Sequence, residues 1–286
     1  MFLLFTMKAK EIYERLEKDF IKGKGLSDDW KEIKNSKYLS LNFKKRSMGV
    51  VYDFSKEIKK VYTAVFPDKS IIKKILAKKE TDILLFVHHP MSWDITKKDV
   101  FTSISNKDLE IFKKRRISVY NLHVPLDNFG KYSTANTLAR AIEVKVETQF
   151  APYFGAMCGI IGTVGTDKVS DLKKTLEKAV GHKVKLYKYG SDKIKNKRIA
   201  LVGGGGNSLD LLETIPKGIN LFITGVSVKN DYAKKSHDYL KEKKINLLGG
   251  THYSTEKFAC IAMVDYFTKL RLPCEFIEGK PMMEDM

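Results

Sequence analysis

Apolar residues at Ile12, Leu16 and Phe20 recur with the spacing of one helix face. They predict a helix from Lys8 to Ile21, which Gly23-Lys24-Gly25 ends. Beyond a polar stretch the pattern changes to short, continuous apolar runs. Gly49–Tyr52, Lys60–Phe66, Ile83–Val87 and Ile117–Leu122 read as strands. Ser70–Lys79, Asp108–Arg115 and Ser133–Ile142 read as helices between or after them. Strand and helix alternating at this spacing mean βαβ units and an α/β fold.

The second half repeats the rhythm of the first. Ile199-Ala200-Leu201-Val202 answers Val61-Tyr62-Thr63-Ala64-Val65, and Ser208-Leu209 answers Ser70-Ile71. Asn220-Leu221-Phe222-Ile223-Thr224 answers Asp82-Ile83-Leu84-Leu85-Phe86, and Lys244-Ile245 answers Arg116-Ile117. So long a period predicts a duplicated domain and not a solenoid. The expected organisation is two related α/β lobes, 1–165 and 195–286, with a connection over 166–194 that follows Gly165 and contains Gly181 and Gly190.

Chemistry enters at the ends of the predicted strands. Leu84-Leu85-Phe86-Val87 runs into His88-His89-Pro90, and the proline stops the strand. Imidazoles at the carboxyl end of a buried strand sit where open α/β sheets bind ligands. Alone the pair is weak evidence, because a buried histidine satisfied by backbone is commoner. Two further clusters alter that balance: His123 with Asp127, an HxxxD, and His252 with Glu256, an HxxxE. Each follows a short apolar run. On a helix such spacing puts both side chains on one face, with Cβ atoms roughly 5–6 Å apart. Pro125 predicts a loop for the first pair. Imidazole with carboxylate is a ligand set for Zn, Mn, Fe or Ni, whereas Mg and Ca prefer all-oxygen shells. Two lobes facing each other would bring the three clusters to one cleft.

Other motifs carry less. Gly203-Gly204-Gly205-Gly206-Asn207 lies between a strand and a helix. It is either an anion-binding turn or a tight turn beside packed backbone, and it lacks the spacing of a P-loop or dinucleotide fingerprint. His182 and His237 stand among lysines and polar residues and are expected at the surface.

Composition narrows the class. At 286 residues with 43% apolar content the chain can bury one large core or two smaller ones. Cys158, Cys260 and Cys274 are too few and too scattered for a disulfide framework or a thiolate zinc site. They point to a reducing compartment. Met1–Met7 is apolar but lacks a basic leader and a cleavage site, and an initiation upstream of Met7 accounts for it. No run approaches the roughly 20 apolar residues of a membrane span. A cytoplasmic protein is expected. The formal charge of +18 is mainly scattered lysine, with no stripe or motif of a nucleic-acid module. It reads as a solvated surface that favours anionic substrates over long range.

Taken together, Phe86-Val87-His88-His89-Pro90, His123-Val124-Pro125-Leu126-Asp127, Ser133-Thr134-Ala135-Asn136-Thr137-Leu138-Ala139 and Gly250-Thr251-His252-Tyr253-Ser254-Thr255-Glu256 resemble the NGG-interacting factor three-like family. Its bacterial members are described as GTP cyclohydrolase one type two homologues. The resemblance runs from about Gly49 to Met286. It implies a two-lobed protomer with two divalent ions, Zn, Fe or Mn, in the cleft. By that analogy His89 and Asp127 hold one ion, His88 and His252 the other, and Glu256 bridges them. His123 would line the reaction site without binding metal. The family also implies a homohexamer. Lys45-Arg46-Ser47-Met48-Gly49 departs from the asparagine- and glycine-rich approach usual there.

The function expected is a binuclear metal-dependent hydrolase with a small anionic or nucleotide substrate, as in ring-opening hydrolysis of GTP. His123 would move the proton near neutral pH. The alternative is a metal-holding or regulatory protein without turnover. Binding of nucleic acid by a basic ring is the weakest reading.

Overall fold

The computed structural model describes residues 6–31, 33 and 37–286. The apolar opening Met1–Phe5 lies outside them.

Two compact units divide the chain. The first contains the residues up to Leu126 together with Cys260–Gly279. Helix α1 (Ala9–Leu16) runs on as a π-helical turn over Glu17–Ile21, so the predicted opening helix is present with a change of pitch. Helix α2 (Leu41–Arg46) leads into strand β1 (Gly49–Tyr52), and β2 (Lys60–Ala64) is followed by α3 (Lys69–Ala77) and β3 (Ile83–Val87). Helix α4 (Asn106–Arg115) and strand β4 (Ile117–Asn121) complete the early part. Helices start where short polar side chains accept orphan backbone N–H groups: Ser40 from Phe43, Asp68 from Ser70 and Ile71, and Ser105 from Asp108.

The sheet order in this unit is Cys274–Phe276, β2, β3, β4, β1. All pairs are parallel except β1 against β4. Strand β3 has a parallel neighbour on each side, and every one of its residues is buried. That explains an uninterrupted apolar run where a half-exposed strand would alternate. Its carboxyl end delivers His88 and His89 in the middle of the sheet.

The second unit contains Asp127–Ala259 and Lys280–Met286. The chain enters it through α5 (Val124–Asp127), a single helical turn where Pro125 predicted a loop. Proline is tolerated because N–H groups of a first turn have no intrahelical acceptor. Then follow α6 (Thr134–Ala141), β5 (Lys145–Tyr153), β6 (Ala156–Thr163), α7 (Val169–Val180) and β7 (Lys185–Tyr187). Strand β8 (Arg198–Val202), α8 (Leu209–Leu212), β9 (Leu221–Thr224), α9 (Lys234–Glu242), β10 (Asn246–Gly249) and α10 (His252–Lys269) complete it, the end of α10 belonging to the first unit. The sheet order is β7, β10, β9, β8, β6, β5, with β8, β9 and β10 parallel and the other pairs antiparallel. Each unit thus holds a parallel β-α-β-α-β run, β2 to β4 in one and β8 to β10 in the other.

The boundaries differ from those read in the sequence. Residues 166–194 are not a connection, because they carry α7 and the edge strand β7 on β10. The division falls at Leu126 and Asp127 instead of residue 165, and 260–279 returns to the first unit. Two of the glycines that suggested a linker serve local backbone needs instead. Gly181 takes φ +86 as the cap of α7, and a Cβ on Gly190 would lie 2.4 Å from the Lys244 carbonyl.

His237 is also corrected. It is 1% exposed, with Tyr189 Oη 2.7 Å from its Nδ1 and the Ser227 carbonyl 3.1 Å from its Nε2. Burial lowers its pKa from the usual histidine value. Lys234, Lys235 and Asp238 of α9 are exposed, while His237 is buried beside Ser236 and Leu240.

Candidate metal centre

In the first unit the site is built on the end of β3. Backbone N–H groups of His88 and His89 still donate to the carbonyls of Ala64 and Val65, so the strand pairing holds both residues after β3 has formally ended. Past the end of β3 the two rings do not diverge to opposite faces as consecutive strand residues would, but meet edge-on with centroids 4.4 Å apart and planes at 72°. His88 Nδ1 lies 2.9 Å from the Leu122 carbonyl. A carbonyl only accepts, so Nδ1 carries the proton and Nε2 is left as the lone-pair nitrogen of the neutral ring. His89 stacks on Phe66 at 4.5 Å.

His123 follows β4, the neighbour of β3, and joins this pair. Its centroid is 4.7 Å from that of His89 and 5.4 Å from that of His88. Ligand-capable nitrogens of all three residues lie within 4.8 Å of one another, and the three are buried. The sequence placed His123 in a separate cluster. Sheet order brings it to His88 and His89.

The second unit carries its own candidate donors at the start of α10. Thr251 and Ser254 cap the helix reciprocally: Ser254 Oγ accepts the Thr251 N–H and Thr251 Oγ1 accepts the Ser254 N–H, each at 3.1 Å. The His252 N–H donates to Asp285 Oδ2 at 2.8 Å. With the helix fixed, the predicted spacing of four brings His252 Nε2 to 3.2 Å from Glu256 Oε1. His252 is 5% and Glu256 3% exposed.

Asp127, 8% exposed, ends α5 and accepts a hydrogen bond from Thr134 Oγ1 at 2.7 Å. Burial and, secondarily, the Asp127 charge push the Cys158 thiol up to about 12, which keeps it from acting as a thiolate.

The four-glycine loop after β8 is part of this site. Gly204 takes φ +67, and a Cβ on it would lie 1.9 Å from Glu256 Oε1. Thr255 Oγ1 accepts the Gly204 N–H at 3.0 Å, and the Gly204 carbonyl accepts from Gly225 and Val226. Of the two readings left open by the sequence, the loop is the tight turn against packed neighbours.

The histidines that follow β3 and β4, with the His88 Nδ1 proton directed at the Leu122 carbonyl, form a group that could hold a metal ion. The donors suit a borderline divalent ion such as Zn, Fe or Mn. Asp28, Thr134, Gly204 and Asp285 contribute to these arrangements without having been singled out by the sequence as donors or supports. Thr134 and Gly204 lay inside motifs already noticed. Asp28 and Asp285 carried no local signal, because each reaches its partner across long sequence separations.

A family model described as Duf34/NIF3 (NGG1p interacting factor 3) matches residues 33–281. The chain belongs to the NIF3 family. A relative from Archaeoglobus fulgidus named GTP cyclohydrolase 1 type 2 homolog is 27% identical over 252 residues, covering 88% of this chain and 94% of the relative. Two solved structures show the same mixed α/β NIF3 fold. One is described as "Structural genomics, protein ybgI, unknown function", with TM-score 0.74, 19% identity, and coverage of 96% of this chain and 100% of the other. The second is reduced HcgD from Methanocaldococcus jannaschii, with TM-score 0.70, 22% identity and the same coverage. No helix among the described residues is long and apolar enough to cross a membrane.

Proposed function

We propose that this NIF3 protein is a binuclear metal-dependent hydrolase. His88, His89, Asp127, His252 and Glu256 would hold two divalent ions, with Glu256 serving both. The observation that carries the reading is the convergence of three buried imidazoles, His88, His89 and His123, after β3 and β4. The buried His252–Glu256 pair supplies the carboxylate–imidazole chemistry of the same class of site. Bound there, the ions supply Lewis acidity and lower the pKa of water.

His123 is the residue proposed to handle the proton. Its ring lies beside His89 and His88, and a neutral imidazole accepts and returns a proton near neutral pH. The names of the relatives point to a nucleotide triphosphate as substrate. Addition of one water across the carbon between the two imidazole nitrogens of GTP opens that ring. The proton of the water passes to His123 and then to the departing nitrogen. Lysines raise the local concentration of such an anion, in keeping with the net charge of +18. The proposed assembly is a cytoplasmic homohexamer, as the family resemblance implies. Light scattering on the purified chain tests its mass. The two parallel β-α-β-α-β runs are proposed to descend from one duplicated unit.

Incubation of the Zn-, Mn- and Fe-loaded protein with GTP, followed by chromatography, tests the activity. A ring-opened product that disappears in Glu256→Gln supports it. Two tightly bound ions without any product would favour the metal-holding protein instead.

A further inference from the structure

The histidine group of the first unit has a carboxylate behind it. Asp28 Oδ1 and Oδ2 lie 3.1 and 3.2 Å from His123 Nδ1. The same carboxylate accepts the Asp29 N–H at 2.9 Å and lies 3.4 Å from the Val124 N–H. Its side chain is 2% exposed, against 12% for His123. Asp28 sits in a loop segment ahead of α2, far from His123 in sequence, and Trp30 follows it in the same wall. The Trp30 indole meets His123 edge-on at 5.0 Å and His89 at 5.8 Å. Its backbone N–H is held by Ser47 Oγ at 3.1 Å, which anchors the segment.

We propose that Asp28 is a positioning residue that locks His123 in the Nδ1–H tautomer and so reserves Nε2 as the proton-accepting nitrogen. A carboxylate facing Nδ1 accepts and does not donate. The opposite neutral tautomer would set a lone pair on Nδ1 against two carboxylate oxygens. Nδ1 therefore carries its proton whether the ring is neutral or charged. Trp30 limits rotation of the ring from the side, so both the tautomer and the ring plane are set before any substrate arrives. The catalytic part of this inference rests on the proposed hydrolase, whereas the tautomer does not.

The test is a long-range 15N–1H correlation spectrum of full-length, 15N-histidine-labelled protein, recorded with and without diamagnetic zinc at a pH where imidazoles are neutral. His123→Gln assigns the signals, and the other histidines report that each variant is folded. Wild type should show His123 protonated on Nδ1 and bare on Nε2. Asp28→Asn places an amide that can donate to Nδ1, so the population should move toward the Nε2–H form. Asp28→Glu should restore the wild-type pattern wholly or in part. A wild-type His123 protonated on Nε2, or an Asp28→Asn spectrum identical to wild type, overturns the proposal. In the GTP assay Asp28→Asn should lower kcat on the order of 100-fold with KM little changed. An unchanged kcat in a protein that turns over removes the catalytic part. Absence of GTP turnover by wild type defeats the substrate reading and leaves the tautomer to be decided by the spectrum.

Discussion

Glu256 Oε1 occupies the space a side chain on Gly204 would need: a Cβ there would stand 1.9 Å from it. The β8–α8 loop and the start of α10 are consequently fitted to one another around a carboxylate. Gly204 also takes φ +67, a conformation that L side chains rarely adopt. Gly204→Ala should therefore lose about 1–3 kcal/mol of stability. Bound metal should fall at the same time, measured by denaturant unfolding and elemental analysis. Gly205→Ala is the control, since nothing lies within 4 Å of the added carbon. Equal behaviour of the two variants would contradict the fit described.

Glu256→Gln keeps the shape of the side chain and removes its charge. If Glu256 serves both ions, metal content should drop for both together while circular dichroism stays that of the folded protein. Asp127→Asn should lower the content of mainly one ion. Retention of two ions per chain by Glu256→Gln would falsify the shared role.

Thr134 supports Asp127 through its hydroxyl, 2.7 Å from Oδ1, and is 1% exposed. Thr134→Val preserves volume but deletes the donor. Loss of such an orienting hydrogen bond typically weakens metal affinity about 10–100-fold. Zinc titration with a competing chelator would measure it. An unchanged affinity would mean that Asp127 needs no orientation, or binds no metal.

Zinc should also raise the thermal midpoint of the wild type. A ligand that binds only the folded form at about 100 times its Kd adds about 2.7 kcal/mol. The shift should be smaller in Glu256→Gln at the same zinc concentration. Scanning calorimetry with and without a chelator distinguishes this from a general salt effect.

Far from the site, Asp82 binds Arg116 and, at 2.7 Å, Lys59. Hydrogen bonds from Arg116 hold its carboxyl well below the usual carboxylate range, outweighing the opposing effect of burial. Since the folded pKa lies below the unfolded one, this contribution is present above the unfolded value. It is lost as pH falls through the folded value. Asp82→Asn should thus destabilise by about 2 kcal/mol at neutral pH. The gap between variant and wild type should shrink progressively below about pH 4. A difference independent of pH would assign the effect to packing.

Much of the fold was legible in the chain because burial dictates its apolar runs. Leu84-Leu85-Phe86-Val87 has no alternation since both faces of β3 are covered, and that run read as a strand whose parallel neighbours on each side the structure then supplied. The HxxxE at His252 was readable for a similarly local reason: spacing of four on a helix fixes which side chains meet. The unit boundaries were not readable. Glycines at 165, 181 and 190 mark turns as readily as linkers, and only the pairing of β7 with β10 decides between them. His237 was misplaced because a polar neighbourhood in sequence says nothing about which face of α9 meets the sheet.

The sequence by itself therefore determined the α/β class, the strand ends that bear His88, His89, His123 and His252, and the helical pairing of His252 with Glu256. These depend on periodicity and on neighbours within a few residues. Only the tertiary structure decided that His123 joins His88 and His89, because that requires β4 to lie beside β3. It likewise decided that Asp28 stands behind His123, that Asp285 holds the start of α10, and that Gly204 makes room for Glu256. Each of these contacts joins residues far apart in the chain. No local pattern encodes them, since their geometry exists only once the sheets and loops have packed.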